Sequence, residues 1–124
     1  MRLLFTVILA LSLAWLWDRF LRLLKWDQKL RIGLGVSLGE EAIKYFLAMA
    51  FQLRPWLVYL LFGLGEGGLE AILLKKKSAL KLIIAGGLIH FGFGLFFLFP
   101  FHYNLSWGWA IITHLLLNNL LIQD

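Results

Sequence analysis

The chain has 124 residues, enough for one small domain, and 61% of them are hydrophobic, against roughly 45 to 50% in soluble domains. That composition indicates a membrane protein and excludes an ordinary soluble globule. No cysteine is present, which excludes disulfides and thiolate chemistry, and the net charge of +5 sits on basic residues between apolar runs, where it sets topology and meets lipid headgroups rather than nucleic acid.

Five apolar segments follow in chain order: Leu3 to Trp17, Ile32 to Phe51, Pro55 to Leu74, Leu80 to Phe101 and Leu105 to Ile122. The last four approach the roughly 20 residues that cross a bilayer as a helix, and the first does so only if the following turns extend it. Met1-Arg2 and Ser12-Leu13-Ala14 resemble a signal peptide's basic start and cleavage site. Because Trp15-Leu16-Trp17 follows at once and no polar mature segment begins there, the segment is read as a retained helix. The next stretch, "DRFLRLLKWDQKLR", alternates basic and apolar residues at helical spacing. Two readings stay open for it, a helix lying in the headgroup layer and an extension of the first segment. The expected fold is therefore all-α and polytopic, with about five transmembrane helices in one domain spanning 1–124 and a motif-bearing core at 32–122.

Basic residues fix the expected orientation. Arg19, Arg22, Lys25, Lys29 and Arg31 precede segment two, and Lys75, Lys76, Lys77 and Lys81 lie between segments three and four, whereas the other side offers Arg2 and Arg54. The positive-inside rule then puts the N-terminus outside and the C-terminus in the cytoplasm. Trp15, Trp17, Trp56, Trp107 and Trp109 fall near segment ends, where amphipathic rings prefer to sit. Glycines at 35 and 39, and at 63 and 67, are spaced for close helix packing.

Acids within such segments are expensive, so each is a functional candidate. With a rise of about 1.5 Å per residue, Glu40, Glu41, Glu66, His90 and His114 all come out roughly 12 to 15 Å from the cytoplasmic ends, and Glu70 and Asn118 about one turn closer. Four helices thus bring polar groups to one layer. Lys44 follows Glu40 by four residues and Glu41 by three, which places an ammonium beside both acids. His114 and Asn118 share a helix face. The pair Glu40 and Glu41 is expected to share a proton and titrate as a unit. Three chemistries can use this layer: a glutamate base that activates water, with His or Asn donors to an oxyanion; a zinc site assembled from separate helices, with Glu41, Glu70, His90 and His114 as ligand candidates; or a proton or cation path. The runner-up to hydrolysis is a non-catalytic membrane protein that keeps the layer as a packing network or as an immunity or partner-binding site.

"EEAIKYF" resembles the Glu-Glu-x-x-Lys signature of the PrsW intramembrane proteases, which are related to the CAAX prenyl endopeptidases and bacteriocin-processing enzymes. "FGLGEGGLEAILL" is similar to the second motif of PrsW and of YhfC-type membrane proteins, and His90 and the His114-x-x-x-Asn118 pair are similar to the remaining two motifs. The resemblance implies hydrolysis of a peptide bond in a membrane-embedded or lipid-anchored substrate, in a prokaryotic cytoplasmic membrane. It assigns water activation to Glu40 and Glu41, water or carbonyl orientation to His90 and His114, and an oxyanion contact to Asn118. Glu70 matches the glutamate of the second PrsW motif, and Glu66 stands where the CAAX-type pattern has histidine.

Overall fold

The computed structural model describes residues 1–73, 78–98 and 102–121, and every regular element in them is helical. Five α-helices follow in order: α1 (Arg2–Leu23), α2 (Ser37–Ala50), α3 (Pro55–Leu73), α4 (Ala79–Gly94) and α5 (Tyr103–Leu121). A π-helical segment, Leu30–Val36, leads into α2, and a short 3-10 turn, Leu95–Leu98, ends α4. The expected segments are thus present, with Leu74, Lys75, Lys76, Lys77, 99–101 and Ile122 lying outside the described residues. Three helical stretches, Arg2–Leu23, Pro55–Leu73 and Ala79–Leu98, are long and apolar enough to cross a membrane.

The first helix is longer than its apolar run, because Asp18, Arg19 and Arg22 continue it rather than forming a separate surface helix. An ion pair of 2.8 Å between Arg22 and Asp18, four residues apart, supports that last stretch. Lys25, with φ of 54°, then reverses the chain. Asp27 restarts it by accepting a hydrogen bond from the Leu30 amide, as an N-capping carboxylate does. The "DRFLRLLKWDQKLR" stretch is therefore split between two elements, and the extension reading holds for its first half.

Polar and charged side chains are buried among apolar ones, and many large apolar side chains face outward. Ser37, Glu40, Glu41 and Lys44 of α2 are buried, as are Thr6, His90, Ser106 and His114, while Leu4, Phe5, Ile8, Leu80, Leu88 and Leu116 stand exposed. Helix α2 occupies the centre, touching α1, α3 and α5. Beside it an aromatic core gathers Tyr45, Tyr59, Phe93 and Phe97, with Tyr45 stacked on Trp107 at 5.4 Å between ring centres.

Glycines set how closely the helices approach. A Cβ at Gly63 or Gly67 would run into the α4 backbone at Gly86 or Leu82, and one at Gly39 would run into the Trp17 indole. The packing role expected of these glycines holds. A backbone atom cannot swing aside as a side-chain tip can, so Gly63→Ala is expected to force α3 from α4 and cost about 1–3 kcal/mol. Thermal melting in detergent checks this, with Gly92→Ala as the control, since nothing lies within 4 Å of a Cβ there.

Candidate functional site

The site grows from α2. Residues 40, 41 and 44 lie within little more than one turn, so their side chains leave the helix close together and meet α3, α4 and α5. The Lys44 ammonium donates to Glu41 Oε1 at 2.5 Å and also meets His90 Nδ1 at 2.9 Å. An ammonium has no lone pair, so Nδ1 is the acceptor and the neutral ring carries its proton on Nε2. That atom lies 2.6 Å from Glu66 Oε2, to which it donates. On the other side His114 Nδ1 donates to Glu41 Oε1 at 2.8 Å, which leaves the Nε2 lone pair facing Glu40 Oε2 at 3.9 Å. Four helices meet in this one chain of contacts: Glu66 of α3, His90 of α4, Lys44 and Glu41 of α2, and His114 of α5.

The surroundings are apolar and aromatic. Lys44 lies 4.6 Å from the centre of the Tyr59 ring and 4.8 Å from that of Phe62, and such faces attract a cation. Phe93 stacks on His114 at 4.9 Å and meets His90 edge-on. These rings fix both imidazoles in place. The Tyr59 hydroxyl is buried near Glu41 without completing a hydrogen bond.

The two adjacent glutamates are not equivalent. Glu41 is fully buried; its Oε1 takes two donors, and its Oε2 has no hydrogen-bond partner among the described residues. Glu40, 7% exposed, has a buried Oε2 with no hydrogen-bond partner among the described residues. It lines a groove of about 490 Å³ between α1, the π segment and α3, together with Glu66 and Phe62. Glu70 lies on the same groove one turn further along, exposed and outside the network. A second cavity of about 570 Å³, by Met49, Arg54 and Trp56 at the α2–α3 turn, holds none of the cluster's acids or histidines.

Asn118 goes elsewhere. Its amide donates to the Ile32 carbonyl of the π segment at 3.1 Å and to Ser37 Oγ, at the start of α2, at 3.0 Å. Ser37 in turn donates to the Gly33 carbonyl, and the Trp17 indole donates to the Gly35 carbonyl at 2.8 Å. A π turn leaves carbonyls poorly paired within its own helix, and here side chains from three elements take them up. The amide donors that the oxyanion contact implied for Asn118 would use are engaged by Ile32 and Ser37. Asn118→Leu is expected to lower stability by about 1–3 kcal/mol, because it strands a carbonyl and a hydroxyl. A melting curve checks that, whereas an oxyanion role would reduce turnover and leave melting unchanged.

Sequence spacing brought Glu40, Glu41, Glu66, His90 and His114 to one layer, and the structure joins all five. It did not reveal that Lys44 reaches past Glu41 to His90, nor that Tyr59, Phe62 and Phe93 enclose it. Those rings are indistinguishable by type and spacing from ordinary core aromatics. No family model, no curated protein and no solved structure matches the chain.

Proposed function

We propose that this chain is a five-helix membrane protein that hydrolyses a peptide bond in a membrane-embedded or lipid-anchored protein substrate. The observation that carries the reading is Glu40: a buried carboxylate oxygen without a partner, facing a groove, with an oriented imidazole beside it. The ordered motifs that resemble PrsW proteases support the same chemistry. Buried polar side chains with large apolar ones facing outward support lipid as the solvent, since intramembrane acids face inward. The N-terminus is placed outside and the C-terminus in the cytoplasm by the lysines and arginines, of a prokaryotic membrane if the resemblance guides.

In this reading Glu40 removes a proton from a water in the groove, and the hydroxide adds to the substrate carbonyl. The proton then passes to the amide nitrogen as the C–N bond breaks, leaving a carboxylic acid and an amine. His114 Nε2 takes up part of the proton's charge, and Glu41 steadies the imidazolium through Nδ1, the role a carboxylate has behind a catalytic histidine. Glu66 and His90 form the opposite wall of the water site.

The test uses purified protein in detergent with a library of single-span membrane proteins, and mass spectrometry reads new termini. Termini made by wild type and lost in Glu40→Gln support the protease. Termini that persist in Glu40→Gln would sink the assignment of the base.

The alternative is a non-catalytic membrane protein that binds a partner, and the bonded chain from Glu66 to His114 favours it, since a packing network also joins helices this way. A proton or cation conductor would show flux that shifts with Glu66→Gln.

A further inference from the structure

We infer that Glu40, Glu66 and His90 form a binding site for one divalent transition-metal ion of the zinc class. One oxygen from each carboxylate and one ring nitrogen lie within 4.8 Å of one another. Ligands about 2.1 Å from a tetrahedral ion stand about 3.4 Å apart, so the hydrogen-bonded Glu66–His90 pair, 2.6 Å apart, has to open while any wider separation, up to 4.8 Å, closes. The groove gives an ion a way in and leaves a fourth position open. Glu40 supplies the second observation: its side chain is buried, its Oε2 has no hydrogen bond, which is costly, and one of its oxygens is among the converging atoms.

The donor set itself, two carboxylates and one neutral imidazole, suits a dication, while Arg19, Arg22 and Arg31 line the same groove beside Asp18 and Glu70. The imidazole nitrogen selects against magnesium and calcium, which prefer oxygen alone. Glu41, His114 and Glu70 lie outside this donor set: Glu41 Oε1 is held by Lys44 and His114, and Glu70 is exposed on the groove wall.

Binding at Nε2 requires the proton there to leave. The ring proton then sits on Nδ1, whose hydrogen bond the Lys44 ammonium cannot accept, so Lys44 has to turn from His90 and keep its bond to Glu41 alone. What the ion does there rests on the hydrolytic reading, but that it binds does not. Glu40 offers the ion one oxygen, and its other oxygen remains the base of the hydrolytic reading, with His114 beside it.

The test titrates Co²⁺ into metal-free protein in detergent and follows its visible spectrum, then adds Zn²⁺ and, separately, excess Mg²⁺. One equivalent is expected to bind, to be displaced by Zn²⁺ and to be untouched by Mg²⁺. Glu66→Gln and Glu40→Gln are each expected to weaken binding by at least about tenfold, while His102→Ala, at an exposed histidine outside the cluster, changes nothing. Lack of a saturable one-equivalent signal in wild type overturns the inference without needing any variant to fold. Undiminished binding in Glu66→Gln overturns it as well. Cleavage that survives complete metal removal would sink a catalytic role for the ion and leave the protease standing, whereas saturable metal binding without cleavage would support the site and count against the protease.

Discussion

Lys44→Met is expected to cost the fold about 3–5 kcal/mol, the usual consequence of stranding one half of a buried ion pair. The Lys44 and Glu41 side chains are both fully buried, 2.5 Å apart, so the methionine leaves a carboxylate with His114 as its sole donor among the described residues. His90 also loses the donor to Nδ1, and the tautomer that presents Nε2–H to Glu66 is no longer imposed. Far less folded protein should be recovered in detergent, with a large drop in melting temperature. Adding Glu41→Gln to Lys44→Met should restore part of the loss, because the amide removes the charge that lacked a partner. If the single variant melts like wild type, or the double variant melts no better than the single, the pair is not the electrostatic centre of the bundle. The double-mutant cycle measures the coupling directly.

The second large effect separates two adjacent glutamates. Glu40→Gln is expected to lower peptide-bond cleavage about 10²–10⁴-fold, the usual worth of a positioned base, while melting stays near wild type. Glu40 is free to tolerate the amide because its Oε2 has no hydrogen bond to lose. Glu41→Gln is expected to lower both, since its Oε1 takes the Lys44 ammonium and the His114 Nδ1 proton. The comparison needs only the rate of appearance of one new terminus beside one melting curve for each variant. Equal loss of activity at equal stability in the two variants would contradict a division of labour between groove and network.

Composition and spacing by themselves determined much of the architecture. Apolar runs located all five helices, because lipid-facing helices must be apolar along most of their length. Glycine spacing marked Gly63 and Gly67 as points of close helix approach, and the structure supplied the partner, the α4 backbone at Gly86 and Leu82. Counting residues from segment ends placed five acids and histidines at one depth, because a helix converts sequence number into height at a fixed rise.

Height, however, is not direction. Glu40 and Glu41 share a depth within one residue, yet one faces the groove and the other is enclosed by Lys44, His114 and the Tyr59 ring. Asn118 sits one turn from His114 on the same helix, yet its amide is drawn to a carbonyl freed by a π turn that apolar periodicity could not register. Which acid is left unpartnered, which histidine nitrogen carries the proton and which three ligand atoms converge all depend on how α2 is rotated against α1, α3, α4 and α5. That rotation is a property of packed side chains from distant parts of the chain, so the tertiary structure alone decided it.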